Sequence, residues 1–515
     1  MSSWLKRLAL AAVLAAPLWT AQALAEPAPQ PPAAKDAPAE QAVSSVHEVT
    51  VGGRVIRYTA TAGTLILRGD DGAPTASLFY VAYVADPSKD APPRPLTFLF
   101  NGGPGSASLW LHMSGLGPRS VVTASPKPTG PAPYQFGPSA QTLLDKSDLV
   151  FLDAVGTGYS RVIGAGKTSD FWGVDQDAGA FAQAISRYLT LNRRWSSPKF
   201  LFGESYGTTR AAALAYRLQN QGVQINGVVL LSTILDFAPL LPGQDQGFIG
   251  VLPTYAAAAW YHQRAVRRGD DFEAFLQQAR AFAAGPYAAA LAKGDALPEA
   301  EEDAVAQRLA QFTGLSVDYL KRCKLRIDME AFRRELLKDQ ATVIGRFDAR
   351  FTARDSYLSA SGAFDPATDD PATAGVSSAY LSSFRDYLVG ELGYQSDQPY
   401  LALNNMVVET AWDWRHKAPG YDERLTTTNT ALDLAAAMRG NPQLKVLSMN
   451  GLYDLSTPFF ATEHDLAHML LTPDLRGDVS LTYYASGHMT YGDQAALKQM
   501  KLDLARFYDA AVRQP

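Results

Sequence analysis

The 515-residue sequence contains a single cysteine, and this scarcity excludes two kinds of protein. One thiol supports neither an internal disulfide framework nor a zinc site built from cysteines. Positive charge is not in excess either, because 46 Lys and Arg stand against 51 Asp and Glu. Binding to nucleic acid is therefore not indicated. With 47% hydrophobic and 19% charged residues, the composition also excludes an intrinsically disordered chain.

The N-terminus carries the pattern of a secretory signal. A basic pair, Lys6-Arg7, precedes the apolar stretch Leu8–Leu18, and Ala23-Leu24-Ala25 is a small-x-small cleavage signal. The apolar stretch is too short to span a membrane. We expect a signal peptide over residues 1–25, a periplasmic or secreted protein, and no integral membrane segment after cleavage. Residues 26–43 are rich in Pro and Ala and are predicted to be a linker.

The body of the chain alternates between strand and helix patterns. Nearly all-apolar runs, typical of strands covered on both faces, occur at 96–100, 148–152, 199–202, 227–231, 444–448 and 479–483. Helical stretches fall between or after them at 175–191, 208–219, 462–471 and 494–511. Alternating segments at 46–51, 55–59, 64–68 and 77–84 precede them and indicate antiparallel hairpins at one edge. The sequence therefore predicts an α/β fold with a mostly parallel central sheet and helices on both faces.

A long helical stretch interrupts this alternation. Residues 238–440 contain Ala- and Gln-rich helical segments without regular buried strands. We interpret this stretch as an inserted, mostly helical lid, which would divide the core into residues 44–237 and residues 441–515. Such insertions commonly carry specificity.

Gly203-Glu204-Ser205-Tyr206-Gly207 fits the G-x-S-x-G pattern. An apolar strand precedes it and a helix-forming run follows it, as in the strand–turn–helix elbow that exposes a nucleophilic serine. The two glycines are expected because side chains would crowd the tight turn. The pattern predicts Ser205 as a catalytic nucleophile.

A serine nucleophile needs a general base that a third group orients. His488 follows the predicted strand 479–483 on a loop, and Asp454 follows the predicted strand 444–448. Loops after such strands carry the active site in α/β proteins. The chain order Ser205, Asp454, His488 is the hydrolase order. We expect these three residues to form a triad.

An oxyanion hole needs two backbone N–H groups directed at developing negative charge. Tyr206, directly after the serine, is expected to supply one of them. The second is expected from Asn101-Gly102-Gly103-Pro104-Gly105, which follows the predicted strand 96–100. Gly103 is the residue that we predict for this role.

Together these stretches resemble the serine carboxypeptidase family. The matching stretches are Asn101–Gly105, Phe151–Ser160, Gly203–Gly207, Asp454 with Pro458, and Gly487–Met489, in the order of the family. The resemblance implies an α/β-hydrolase with an inserted cap that removes C-terminal residues from peptides through an acyl-enzyme. It also implies that Asn101, Gly102, Glu204 and Met489 bind substrate, with Asn101 and Glu204 at the terminal carboxylate. Two carboxyl groups can share a hydrogen bond only when one is protonated, so activity at acidic pH is implied.

The sequence also departs from this family. Leu99 replaces its Trp before the Asn motif, Gly115 replaces a supporting Glu, and Ser106 replaces a Cys. An esterase or acyltransferase that uses the same triad therefore stays open, as does a non-catalytic binding protein on this scaffold. We expect peptide substrates with a free C-terminus, no cofactor and no bound metal; the oligomeric state is left open. His464 and His468 are interpreted as part of a solvated helix face, and Cys323 as a thiol without a role.

Overall fold

The computed structural model describes residues 39–87, 92–266, 269–356, 361 and 365–512. The predicted signal peptide, residues 1–25, and residues 26–38 of the predicted linker lie outside the described residues. The last residues of that predicted linker enter the first strand, which begins at Ala42. Within the described ranges, no helix combines the length and hydropathy that crossing a membrane requires.

The strands form one large sheet and two small hairpins. In chain order they are β1 (Ala42–Val51), β2 (Arg54–Arg68), β3 (Pro74–Ala85), β4 (Leu96–Phe100), β5 (Arg119–Val121), β6 (Phe136–Pro138), β7 (Asp148–Leu152), β8 (Arg161–Val162), β9 (Lys199–Glu204), β10 (Gly227–Leu231), β11 (Thr342–Ile344), β12 (Thr352–Arg354), β13 (Lys445–Gly451) and β14 (Val479–Tyr484). The hairpins are β5–β6 and β11–β12.

The large sheet has ten strands among the described residues, in the order β1-β2-β3-β7-β4-β9-β10-β13-β14, with β8 paired to β3. Neighbours from β7 to β14 are parallel, whereas β1, β2, β3 and β8 pair antiparallel at one edge. The mostly parallel sheet with N-terminal antiparallel strands is confirmed. One detail differs: β2 is a single strand of 15 residues, not the two predicted at 55–59 and 64–68.

The helices cover both faces of the sheet and build the long stretch between β10 and β13. They are α1 (Leu109–His112), α2 (Val174–Leu191), α3 (Tyr206–Asn220), α4 (Gln246–Tyr261), α5 (Phe272–Phe282), α6 (Ala288–Leu291), α7 (Glu299–Thr313), α8 (Val317–Arg322), α9 (Met329–Glu335), α10 (Pro366–Asp369), α11 (Pro371–Asp386), α12 (Asn405–Thr410), α13 (Ala431–Gly440), α14 (Phe459–Ala467), α15 (Pro473–Arg476) and α16 (Gln494–Ala511).

Alternate side chains of the buried strands feed two separate apolar cores. Along β9, Phe200 and Phe202 join a core that α16 and α11 cover, whereas Leu201 joins one that α2, α3 and α13 cover. All residues of β4, β7, β9 and β10 are buried. A strand covered on both faces favours apolar residues along its length, which explains the nearly continuous apolar runs in the sequence.

The residues between β10 and β13 do not all pack into the same apolar core. Helices α4 to α9 share an apolar core of their own, which also includes Tyr453, Leu455 and Phe459. In contrast, Tyr380 and Phe384 of α11 and Leu434 of α13 belong to the two cores of the sheet. Part of the stretch predicted as a lid therefore packs directly on the sheet.

One charged cluster ties this stretch to the sheet helices. The buried imidazole of His416 donates from Nδ1 to Asp175 of α2 at 2.7 Å and from Nε2 to Asp433 of α13 at 2.6 Å. Burial lowers the pKa of His416, but the two carboxylates outweigh it and raise the pKa to about 9. The imidazolium form therefore persists at neutral pH and joins three segments of the chain.

Candidate active site

Ser205 lies at a strained turn between β9 and α3. Its backbone has φ +61° and ψ −132°, a conformation that non-glycine residues rarely adopt outside functional sites. The turn is tight, because a Cβ atom on Gly203 would lie 2.0 Å from the Gly207 carbonyl oxygen. A Cβ atom on Gly207 would lie 2.7 Å from the Phe100 carbonyl oxygen. Both glycines of the motif are thus needed to project Ser205 from the end of the sheet.

His488 and Asp454 are in direct contact. His488 Nδ1 donates to Asp454 Oδ2 at 2.7 Å, and both side chains are buried. Asp454 Oδ1 also accepts the backbone N–H groups of Ser456 and Thr457, at 2.9 and 3.0 Å. Burial lowers the pKa of His488, but the adjacent Asp454 charge and its hydrogen bond raise it overall. Asp454 is thereby placed to orient the imidazole and to stabilise its charged form.

The loops of Ser205, Asp454 and His488 follow β9, β13 and β14 at the same edge of the sheet. The structure therefore brings the predicted residues to one place. Within the described chain, however, no hydrogen bond joins the Ser205 hydroxyl to His488. Such contacts are often long before substrate binds.

Three contacts hold His488 in place. Its backbone N–H donates to the carbonyl of Phe347 at 2.6 Å, and its carbonyl accepts the Ser232 hydroxyl at 2.7 Å. The Phe347 ring stacks on the imidazole with a centroid distance of 4.6 Å and an interplanar angle of 18°. Because Phe347 belongs to the stretch between β10 and β13, that stretch forms part of the site.

The loop after β4 lies against the start of α3. A Cβ atom on Gly102 would lie 2.4 Å from the Tyr206 nitrogen, so only glycine permits this approach. Gly103 has φ +106°, a conformation that also favours glycine. The Tyr206 N–H is at the N-terminus of α3, where partial positive charge accumulates. The loop that carries Gly103 is thus held against Tyr206 through Gly102, and the oxyanion hole of Gly103 and Tyr206 stays a prediction.

Glu204 is the centre of a buried polar cluster directly before Ser205. Its Oε2 accepts a hydrogen bond from Asn101 Nδ2 at 2.7 Å, and the Tyr491 hydroxyl lies 3.1 and 3.0 Å from its two oxygens. Burial raises the pKa of Glu204 to about 7, although His488, Tyr491 and Asn101 oppose this rise. A carboxyl group with this pKa carries a proton for much of the time near neutral pH.

Met489, the fourth predicted substrate-binding residue, lines an apolar pocket. Phe347, Val376 and Tyr380 are among its other walls. Tyr380 has no hydrogen-bond partner for its buried hydroxyl in the described residues, and its ring lies 6.5 Å from that of Tyr491. The pocket thus borders the Glu204 cluster.

The motif Phe151–Ser160 holds neighbouring segments of the chain in place around the site. Asp153 accepts the Ser108 backbone N–H at 2.7 Å and the Tyr400 hydroxyl at 3.0 Å. Burial raises the pKa of Asp153 to about 6. Gly158 passes so close that a Cβ atom would lie 1.7 Å from an Asp153 oxygen. This motif therefore fixes the loop after β4 and the segment around Tyr400.

Sequence reasoning missed two neighbours of the site. Tyr491 follows His488 by three positions, and only its place in the same loop could have indicated it. Phe347 lies far from every motif in the chain, so no signal in the sequence marked it. Both contact predicted site residues directly.

Comparison with known protein families gives a match to one segment of the chain. Residues 68–236 match the family model Peptidase_S10, serine carboxypeptidase. The resemblance inferred from the motifs is confirmed over this segment, which contains Asn101, Glu204 and Ser205. Asp454 and His488 lie beyond it. The match supports a serine hydrolase, and the sheet topology described above is that of an α/β-hydrolase.

Several solved structures are similar at low identity. A proline iminopeptidase from Mycobacterium smegmatis is 13% identical, with 91% of this chain and 98% of that chain covered and a TM-score of 0.34. A carboxyl esterase from Bacillus coagulans is 11% identical, with 87% and 98% covered and a TM-score of 0.34. A monoglyceride lipase variant from Saccharomyces cerevisiae is 11% identical, with 88% and 96% covered and a TM-score of 0.34. No curated protein matches the sequence.

The remaining histidine pair and the cysteine lie outside the site. His464 belongs to α14, but this helix ends at Ala467, earlier than the predicted 471, and His468 caps it. The two imidazoles stack with centroids 3.8 Å apart. In the described ranges, no group of three His, Cys, Asp or Glu side chains could hold a metal ion. Cys323 is a half-buried free thiol at the end of α8.

Proposed function

We propose that this serine hydrolase is a carboxypeptidase that releases C-terminal residues from peptides. The observation that carries the proposal is the Glu204 cluster: a buried carboxyl group with a pKa of about 7 directly precedes the nucleophile candidate. A protonated carboxyl group can donate a hydrogen bond to the terminal carboxylate of a peptide. An ionised one would repel it.

In the proposed reaction, His488 takes the proton of Ser205 as its oxygen attacks the last peptide carbonyl. Asp454 stabilises the imidazolium that forms, and the N–H groups of Gly103 and Tyr206 hold the oxyanion. The C–N bond then breaks, and the amine of the departing residue takes the proton from His488. Water attacks the acyl-enzyme by the same route and releases the shortened peptide.

The carboxylate of the departing residue is proposed to bind at Asn101 and Glu204. Asn101 donates an N–H of its side-chain amide to Glu204, and the same amide also interacts with the Tyr491 hydroxyl. The side-chain oxygen of Asn101, Oδ1, is already used, because it accepts the Leu111 backbone N–H at 2.9 Å. This bond fixes the orientation of the amide. The pocket at Met489 is the proposed site for the side chain of the departing residue.

One observation keeps an esterase or acyltransferase as the second candidate. At Gly115, where the resemblance implies a supporting Glu, a Cβ atom would lie 3.0 Å from both the Ser120 and Ser139 hydroxyls. The backbone there has φ +98°, so a side chain is disfavoured. The supporting group cannot be present, and Tyr491 is the group that contacts Glu204 instead.

Matched substrates test the proposal. A blocked dipeptide with a free carboxylate, its amide and its ester are compared on the wild type and on Ser205→Ala. We expect the free acid to be cleaved best and Ser205→Ala to be inactive on all three. Cleavage of the ester alone would favour the second candidate. Absence of labelling by a fluorophosphonate probe would leave the binding-protein interpretation.

Secretion is part of the proposal. Expression of the full chain in a Gram-negative host, followed by N-terminal sequencing of the exported form, tests it. We expect export and an N-terminus at Glu26, as the sequence signal at Ala23–Ala25 predicts. A product that stays in the cytoplasm with residues 1–25 attached would contradict this.

A further inference from the structure

A segment between β11 and β12 is fixed to both loops that carry Asp454 and His488. The carbonyl of Arg346 accepts the N–H of Leu455, the residue after Asp454, at 3.0 Å. The carbonyl of the next residue, Phe347, accepts the N–H of His488 at 2.6 Å. The Arg346 backbone is therefore hydrogen-bonded to the loop of Asp454, and the next residue in the chain is hydrogen-bonded to the loop of His488.

The Arg346 side chain packs on the same aromatic ring as the imidazole of His488. Its guanidinium carbon is 4.7 Å from the centroid of the Phe347 ring, and the same ring stacks on His488 at 4.6 Å. Its positive charge acts on His488 in the direction that opposes Asp454. Arg346 thus places a cation within electrostatic range of the proposed general base, where it disfavours the imidazolium.

Among the residues that the structure describes, this cation has no anionic partner. Arg346 is half-buried, its Nε is buried without a hydrogen-bond partner, and no ion pair includes it among the described residues. The sequence between Ser356 and Asp365 contains no acidic residue that could serve. Buried polar groups are normally satisfied, and the buried Nε of Arg346 has no partner among the described residues, so this side chain has a donor free for a ligand.

The acidic groups nearby are already committed. Asp370 accepts the backbone N–H of Arg346 at 2.8 Å, and its other oxygen accepts two groups of Thr373. Asp348 pairs with Arg350 at 2.7 Å. Neither neutralises the Arg346 guanidinium.

We propose that Arg346 is a specificity-determining residue that binds a carboxylate of the substrate. The planar guanidinium matches a carboxylate in a two-bond geometry, which lysine cannot reproduce. Since the Glu204 cluster is the proposed site of the terminal carboxylate, the ligand of Arg346 is the side chain of an Asp or Glu next to the scissile bond. The inference rests on the proposed function and adds a preference for acidic peptides to it.

Arg346→Met tests the inference, because it removes the charge, keeps much of the length and leaves the backbone hydrogen bonds intact. Arg322→Met is the matched control: Arg322 lies over the Tyr319 ring at 5.7 Å on α8, outside the site. The substrates are blocked Ala-Ala, Glu-Ala, Ala-Glu and the amide of Ala-Ala. Melting temperature and labelling of Ser205 by a fluorophosphonate report folding.

We expect Arg346→Met to lower kcat/KM for the Glu-containing substrates by about tenfold or more and to spare Ala-Ala. Arg346→Lys should restore part of this loss, and Arg322→Met should change nothing. An equal loss for all free acids, with the amide spared, would overturn the inference, because it would assign the terminal carboxylate and not a side chain to Arg346. An unchanged preference, or an equal loss that includes the amide, would overturn the inference.

Failure of the proposed function is distinguishable from failure of this inference. If the wild type cleaves esters but no free acids, the carboxypeptidase proposal is wrong. Esters that carry a Glu or a Gln side chain then test Arg346 alone. A preference for Glu over Gln that Arg346→Met abolishes would support the site, and equal rates in both proteins would refute it.

Discussion

The substitution Glu204→Gln separates the effect of the proton on Glu204 from the effect of the size and shape of its side chain. Gln has nearly the same volume as Glu and is neutral at every pH, so it imitates the protonated carboxyl group permanently. Asn101 and Tyr491 keep a side chain of the same length between them. The substitution therefore removes the titration of residue 204 and little else.

The size of the effect follows from the pKa of about 7 that burial gives Glu204. About nine-tenths of the wild-type molecules hold the proton at about pH 6, and about one-tenth hold it at about pH 8. Because the ionised form repels a terminal carboxylate, kcat/KM for a free-acid peptide should fall about tenfold over this interval. In Glu204→Gln this fall should vanish.

The assay must cancel the titration of His488, which affects every substrate. The raised pKa of His488 means that the neutral base is lost as the pH falls through it, for acids and esters alike. We therefore measure kcat/KM for a peptide acid and for its ester, and follow their ratio from about pH 5 to about pH 9. Glu273→Gln, an exposed glutamate on α5, is the matched control.

Two results would refute the reasoning. A wild-type ratio that stays constant with pH would show that the proton on Glu204 does not serve the substrate carboxylate. A ratio in Glu204→Gln that still falls as the pH rises would assign the titration to another group. Either result would also remove the main support for the carboxypeptidase proposal.

Three further predictions concern other parts of the molecule. Tyr491→Phe removes a hydrogen-bond donor that favours ionised Glu204, so the pKa of Glu204 should rise. The ratio of kcat/KM for the peptide acid to that for its ester should then fall at a higher pH than in the wild type. An unchanged pH dependence of this ratio would argue against the contact. Gly102→Ala places a Cβ atom 2.4 Å from the Tyr206 nitrogen and should lower kcat/KM about 100-fold or more for acid and ester alike, with the melting temperature as the folding check. The pKa of His416, about 9, is above its unfolded value, so its stabilisation is complete below about pH 6.5 and is lost as the pH rises through about 9. The loss should be at most about 3 kcal/mol, and thermal melting between about pH 7 and about pH 10 should show it in the wild type and not in His416→Gln.

Much of the site could be predicted because parallel sheets impose a rule. Residues that follow adjacent strands must meet at one edge, so the apolar runs before Ser205, Asp454 and His488 indicated their proximity. The glycines of the β4 loop could be predicted for a related reason. A backbone that must approach another backbone closely leaves no room for side chains, and Gly102 shows this at 2.4 Å.

The rest depended on packing that no local pattern encodes. Tyr491 reaches Glu204 only because α16 and the loop before it fold back under β9. Phe347 reaches His488, and Arg346 reaches the Phe347 ring, from a stretch whose helices follow no simple order along the sheet. The end of α14 also differs from the prediction, since the chain after Ala467 turns at Leu470, which is exposed and has φ +49°.

The attachment of Arg346 and Phe347 to the two site loops limits how this protein can be rebuilt. A cap that only covered a complete core could be exchanged between homologous enzymes as a cassette, with substrate range changing and turnover surviving. Here the exchanged piece would take with it the acceptors for the Leu455 and His488 backbone N–H groups. Chimaeras should therefore be cut on either side of the β11–β12 hairpin, so that residues 342–354 stay with the core that they help to complete.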